Sequence, residues 1–135
     1  MSLETWKQEF YPIPAGEVPV DQAAEHSLRK WIGLRPENLT RHGVSSYGRS
    51  LIDDERQDLL AIDGESCALC VHHLDNFAGC PRCPLCLHLG GPCDLKGQPY
   101  HVFLHTGDPK PMIAALQAVV DEQNKEATPC PSVNV

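Results

Sequence analysis

Residues 67–93 read CALCVHHLDNFAGCPRCPLCLHLGGPC and contain six of the seven cysteines in the chain. Four of these cysteines form two C-x-x-C pairs, with nine residues between the pairs. One C-x-x-C turn can direct two sulfurs at a single ion, and two such turns complete a tetrahedral coordination shell. The spacing therefore predicts a structural zinc site formed by Cys67, Cys70, Cys80 and Cys83.

Two further cysteines, Cys86 and Cys93, compete for the same coordination positions. In one alternative Cys93 is the fourth ligand, and Cys80 or Cys86 stays outside the site. The apolar flanks of Cys86 favour a buried thiol without metal. His88 could also replace one of the cysteines.

An iron–sulfur cluster is the second metal hypothesis. The C-x-x-C-x-x-C run of Cys80, Cys83 and Cys86 is similar to the opening of a bacterial ferredoxin motif. In that motif three residues lead to a Cys-Pro, whereas here six residues precede Cys93 and no proline follows it. The spacing favours zinc over the cluster, and six close thiols without any metal would be prone to oxidation.

The composition indicates one small domain that needs a metal for stability. The chain has 135 residues, of which only 6% are aromatic, with 12 prolines and 10 glycines. A modest core with many turns commonly needs an additional cross-link. We predict a single zinc-binding domain over residues 1–126 and a mobile tail over residues 127–135, in which Cys130 has no role.

The charge and the hydropathy pattern limit the partners and the location. A net charge of −7 disfavours non-specific binding to nucleic acid or anionic lipid. No apolar run approaches the roughly 18 residues of a membrane helix, and the N-terminal residues lack a signal-peptide pattern. We expect a cytoplasmic protein without a membrane partner, where clustered thiols are more often metal ligands than disulfides.

A basic segment, residues 26–49, lies between two acidic ones. A solvated face that pairs with its acidic neighbours explains most such segments. The same cations are nevertheless the candidate contacts to a nucleic acid or another partner. They are Arg29, Lys30, Arg35, Arg41 and Arg49.

The predicted fold class is α+β, with two or three helices and a short sheet around the zinc loop. Apolar residues recur at helical spacing in residues 21–33, where Asp21 is a plausible N-cap and Gly33 a plausible stop. A short helix is expected from Pro36 to the residue before Gly43. The clearest helix spans residues 109–125 and is capped by Asp108.

The strands are harder to place from the sequence. Residues 51–66 favour two short strands, with a helix over Asp54–Leu60 as the alternative. Residues 44–50 are predicted to be a turn-rich loop. The alternation within Tyr100–His105 predicts a further strand. Near the N-terminus, a short helical or extended start is expected to lead into an extended, proline-rich arm.

Several segments resemble small cysteine-rich proteins of phages, prophages and bacterial plasmids. The segments are CALC, GCPRCPLC, GGPC, DPKPMIAALQAVV and EHSLRKWIGLRPENLTRHGV. The resemblance implies that Cys86 is a departure from the pattern and that the other five clustered cysteines match it. It carries no established activity.

These observations favour a non-enzymatic function. We expect a zinc-stabilised accessory protein of a phage or other mobile element that contacts a host protein. A nucleic-acid-binding zinc protein is the alternative. A metal-dependent nuclease of the HNH type, using His72, His73 and Asn76, is a third hypothesis, but these residues lie too close together for a hairpin and helix between the cysteine pairs.

Overall fold

The computed structural model describes residues 2–47, 49–55, 59–62, 66–73, 83–91, 93 and 95–127, with the backbone alone for residues 72, 73, 126 and 127. The predicted α+β class is confirmed, but the described residues contain seven α-helices rather than two or three. The helices are α1 (Leu3–Phe10), α2 (Ala23–Gly33), α3 (Pro36–His42), α4 (Ala68–His73), α5 (Pro84–Leu89), α6 (Pro99–Thr106) and α7 (Lys110–Ala127). The strands are β1 (Val44–Tyr47), β2 (Ser50–Asp53) and β3 (Leu59–Ala61).

Helix α1 begins at a reciprocal cap and packs on α2. The Ser2 hydroxyl accepts the backbone N–H of Thr5, while the Thr5 hydroxyl accepts that of Ser2, as in a capping box. The buried indole of Trp6 donates to the carbonyl oxygen of Gly33 at 2.8 Å. These contacts bring the start of the chain against the end of α2.

Helix α2 does not start at the predicted cap, but it ends at the predicted Gly33. Asp21 is exposed in a 3-10 turn, Val20–Gln22, and α2 has no side-chain cap, so the prediction of Asp21 as N-cap is wrong. Gly33 is the last residue of α2. A Cβ at Gly33 would lie 2.5 Å from Cγ of Phe10, so this glycine permits close packing of α1 on α2.

Helix α3 matches its sequence signals and leads into the sheet. Pro36 is in the first turn, and Gly43 follows the helix with a left-handed φ of 66°. The next residues form β1, which pairs antiparallel with β2 from Val44 opposite Asp53 to Tyr47 opposite Ser50. The prediction of a loop over residues 44–50 is therefore wrong. Residues 44–47 have little apolar alternation of their own and form a strand because they pair with β2.

The order of the sheet is β1-β2-β3, and both pairings are antiparallel. Strands β2 and β3 confirm the two predicted strands, and the alternative helix is wrong at Leu59 and Leu60, which lie in β3. Asp53, buried at the end of β2, accepts the backbone N–H of Leu3 at 2.8 Å. This hydrogen bond joins the sheet to α1.

The predicted strand over Tyr100–His105 is helix α6, so that prediction is wrong. Gly107 ends the helix with a φ of 75°. Tyr100 and Phe103, three residues apart, both direct their rings edge-on at Trp31, with ring centroids 6.0 and 4.8 Å from it. Packing on Trp31 requires this helical spacing, which overrides the local β-propensity of the segment.

Helix α7 closes the core and confirms the predicted helix, with two more residues at its C-terminal end. The carboxylate of Asp108 accepts the backbone N–H of Lys110 at 3.0 Å. The buried face of α7 belongs to a core cluster that also contains Leu28 and Trp31 of α2. The face consists of Met112, Ile113, Ala115, Leu116, Val119 and Val120. Residues 128–135, including Cys130, lie outside the described residues.

Within the described part of the chain, no helix is both long enough and apolar enough to cross a lipid bilayer.

Gly33→Ala should destabilise the protein by about 1–3 kcal/mol, because the added methyl group would overlap the ring of Phe10. Helix propensity alone would favour alanine, so destabilisation would identify the close packing as the dominant effect. The measurement is urea denaturation. Gly16→Ala is the matched control, because nothing lies within 4 Å of a Cβ at that position. Equal midpoints for both variants would contradict the prediction.

His26 makes stability depend on pH. Its Nε2–H donates to the carbonyl oxygen of Ile13 at 2.7 Å, while Nδ1 is buried and has no hydrogen-bond partner among the described residues. Burial lowers the pKa of His26 below its usual value, although the hydrogen bond to Ile13 opposes this shift. The folded protein therefore favours the neutral imidazole. Stability is lost as pH falls through about 6.5, where the unfolded chain takes up a proton that the folded chain resists.

His26→Leu should consequently flatten the pH dependence of unfolding between about pH 7.5 and 5.5. Wild type and variant would be compared by urea denaturation at equal metal content. His88→Gln, which removes an exposed histidine, is the control and should keep the wild-type slope. An unchanged slope in His26→Leu would show that this imidazole does not carry the effect.

Candidate metal centre

The first cysteine pair is held by α4. Cys67 directly precedes the helix, and its carbonyl oxygen accepts the backbone N–H of Val71 at 3.0 Å. Cys70 lies one helical turn further on, so both sulfurs are on the same side of the helix and their side chains are hydrogen-bonded to each other. Ser66, the residue before Cys67, accepts a hydrogen bond from Nζ of Lys30 at its hydroxyl oxygen.

The second group of cysteines is held by α5 and the turn after it. Cys83 is buried immediately before Pro84, the first residue of α5. Gly90 ends that helix with a φ of 76°. The chain then returns to half-buried Cys93, whose carbonyl oxygen accepts the backbone N–H of Tyr100 at 3.0 Å. This return brings Cys93 to the first pair.

A cavity of about 40 Å³ lies between these elements. Three cysteines contribute to its wall together with two polar side chains of α2 and several apolar groups. The lining residues are Cys67, Cys70, Cys93, Ser27, Lys30, Trp31, Ile62, Leu85, Tyr100, Met112 and Leu116. The cavity is far smaller than the roughly 300–1,000 Å³ of pockets for organic ligands, and a void of this size holds an ion or a few waters.

The electrostatics of the first pair distinguish its two sulfurs. The hydrogen bond from Cys70 lowers the pKa of Cys67 well below its usual value, with further contributions from the ammonium of Lys30 and the hydroxyl of Ser27. The same sulfur–sulfur hydrogen bond, together with burial, raises the pKa of Cys70. Within the pair, Cys67 is therefore the sulfur that loses its proton more readily, and Cys70 is the one that donates the hydrogen bond. Burial also raises the pKa of Cys83.

Lys30 belongs to this centre and not to the surface. Its side chain is only 2% exposed, and Nζ donates to the carbonyl and hydroxyl oxygens of Ser66 at 3.1 and 3.2 Å. A buried ammonium is stable only near negative charge or strong acceptors. Two oxygens of Ser66 are such acceptors, and Cys67, whose pKa is lowered by Lys30, is the nearby group that can carry a negative charge. The prediction that Lys30 contacts a nucleic acid or partner is wrong, because solvent does not reach it.

The predicted ligands are only partly brought together. Cys67, Cys70 and Cys93 line the cavity, and Cys83 is near enough for its charge to act on Cys70. Among the described residues, no three or more His, Cys, Asp or Glu side chains form a group that could hold a metal ion, and none of the five cysteines there lies in a disulfide bond. The fourth predicted ligand, Cys80, lies outside the described residues.

The predicted histidines do not join the described site. His88 is exposed on α5, and this exposure does not support its replacing a cysteine as a metal ligand. The side chains of His72 and His73, like the whole of Asn76, lie outside the described residues. Cys86 is half-buried and does not line the cavity.

The remaining cations of the basic segment do not form one surface patch. Arg41 pairs with the carboxylate of Glu9 at 2.8 Å, and Arg29 donates to the carbonyl oxygen of the same residue. Hydrogen bonds from Arg41 and His42 lower the pKa of Glu9 to about 2. Arg35 and Arg49 are exposed. Two of these four cations thus contact Glu9 of α1, and one of the two forms an ion pair with it.

Sequence patterns missed Ser27 and Lys30 as components of the site. Both lie on the buried side of α2, where Ser27 is completely inaccessible to solvent. The signal was present in the sequence, because two polar residues three apart interrupt an otherwise apolar helix face. Its meaning required knowing that α4 packs against that face.

Comparisons of the chain with protein-family models, with curated proteins and with solved structures gave no match.

Proposed function

We propose that this protein is a zinc-stabilised, non-enzymatic binding protein. The proposed ligands are Cys67, Cys70, Cys83 and Cys93, of which three line one cavity and Cys83 is near enough for its charge to act on Cys70. The observation that carries the proposal is the ion-sized cavity lined by three of these sulfurs. Cys93 replaces Cys80 in this set, in line with the alternative that the sequence left open.

The donor set fits zinc chemically. Thiolates are preferred zinc ligands, and four of them complete a closed structural site. The ammonium of Lys30 offsets part of the negative charge that four thiolates bring into the interior. One ion also suits a cavity of about 40 Å³ better than a cluster of several irons and sulfides. When bound, zinc would cross-link α4 and α5 and add folding energy, on the order of 10 kcal/mol in small zinc domains.

Two features favour binding over catalysis. The cavity between the cysteines is too small for an organic substrate, and a site closed by four thiolates leaves no open position on the metal for chemistry. The nuclease hypothesis depends on the side chains of His72, His73 and Asn76, which lie outside the described residues, so it stays a prediction from the sequence.

A protein is the favoured partner. Three large apolar side chains near the cysteines are exposed, namely Val71, Leu87 and Leu95. Exposed apolar groups mark protein contacts more often than nucleic-acid contacts. The net charge of −7 and the pairing of Arg41 with Glu9 oppose nucleic-acid binding. The phage or plasmid setting, the host partner and the cytoplasmic location remain predictions from the sequence.

Protein purified without oxygen should contain about one zinc per chain, measured by elemental analysis. Removing the metal with a strong chelator should reduce the helical circular dichroism signal. Cys93→Ser should lower the zinc content and stability, because it removes a proposed ligand. Cys86→Ser is the matched control and should retain zinc. Retention by Cys93→Ser together with loss by Cys86→Ser would refute the ligand set, and iron in place of zinc would refute the metal.

A photo-crosslinking amino acid at Leu87 should form a discrete protein adduct in a cell extract, because this side chain is 69% exposed near the metal centre. The same group at Gln117, on the exposed side of α7, is the control. Chelation of zinc should abolish the adduct at Leu87. Equal labelling at both positions, or transfer to nucleic acid, would argue against a protein partner at this surface.

A further inference from the structure

We infer that Ser27 and Lys30 of α2 are positioning residues for the metal centre, which hold and partly neutralise the Cys67 ligand without binding the ion themselves. This inference rests on the proposed zinc site and extends it to a second layer of contacts. It assigns a role to two buried polar residues that no cysteine pattern would reveal.

Ser27 provides a direct contact to a proposed ligand sulfur. It is completely buried, and its Oγ lies 3.5 Å from Sγ of Cys67. A metal-bound thiolate has no proton to donate, so the hydroxyl must be the donor in the loaded centre. The hydrogen bond then orients the sulfur from the side of α2, while the cavity lies among the cysteines.

Lys30 provides a positive charge near Cys67, and hydrogen bonds to Ser66 hold its ammonium group in place. It lies three residues after Ser27 and also lines the cavity. Two hydrogen bonds to Ser66, the residue before Cys67, tie the ammonium to the segment that carries the ligand. The ring of Trp31 lies 5.6 Å from Nζ. An ammonium held this way stays close to the ligand whether or not metal is bound.

The charge balance gives Lys30 its function. Four thiolates around one divalent ion leave about two net negative charges in a largely apolar interior, which is unfavourable without compensation. Lys30 offsets one of them. Contacts of this kind around metal ligands typically contribute about 10–100-fold to metal affinity.

Zinc affinity would be measured by competition with a chromophoric chelator for wild type, Ser27→Ala and Lys30→Met. Lys30→Met keeps the length of the side chain and removes its charge. We expect it to weaken zinc binding by about 10–100-fold, and Ser27→Ala to weaken it by a smaller factor. Lys96→Met, which removes an exposed lysine in the same region, is the matched control and should bind as wild type does.

A spectroscopic signature separates this role from mere packing. In the cobalt-substituted protein, a hydrogen bond or positive charge near sulfur stabilises its lone pairs and raises the energy of sulfur-to-cobalt charge transfer. Both substitutions should therefore shift this band to lower energy. A loss of packing alone would change the unfolding midpoint without moving the band.

Wild-type affinity and an unmoved band in folded Ser27→Ala and Lys30→Met would overturn the inference. If Lys30→Met does not fold, the near-isosteric Ser27→Ala decides by the same two measurements. A wild-type protein that binds neither zinc nor cobalt would instead refute the proposed metal site itself. The two failures are thus distinguishable.

Discussion

The ammonium of Lys30, enclosed between α2 and the start of α4, is the constraint on which the centre of this protein depends. A buried cation requires an anion or strong acceptors within reach. Ser66 supplies two acceptors, and the neighbouring Cys67, whose pKa is lowered, is the group that can carry a negative charge. The segment before α4 is therefore tied to α2 by polar contacts as well as by packing. The cysteine cluster is consequently built on a helix that contains no cysteine.

Helix α2 has the same central role in the rest of the fold. Gly33 admits Phe10 at close range and accepts the indole N–H of Trp6, which fixes α1. Trp31 receives the rings of Tyr100 and Phe103 and so positions α6. Helix α7 packs along α2 as well. The N-terminal helix, the cysteine cluster and the C-terminal helices thus all pack on one helix, α2.

The small size of the central cavity connects this architecture to function. The cavity is much smaller than the pockets that bind organic ligands, which is why we propose that the cysteines stabilise the fold and do not act on a substrate. The pKa of Cys67 is lowered and that of Cys70 raised, so the thiol pair is asymmetric before any metal binds. If zinc binds, the ion would take the place of the proton that Cys67 and Cys70 share. Protein contacts would then be made from the outer surfaces of α4 and α5.

The sequence alone determined those features whose signals are local. Helix α3 lies between Pro36 and Gly43, and Asp108 stands before α7, because caps and fixed dihedral angles act within a few residues. The C-x-x-C spacing likewise located the cysteine cluster. Tertiary structure decided the helix at residues 99–106, strand β1, the burial of Lys30 and the position of Cys93 at the cavity. Strand β1 depends on its pairing with β2, which its own residues do not signal. The other three depend on partners more than 20 residues away, because the packing, hydrogen bonds or charge come from Trp31, Ser66 and the first cysteine pair.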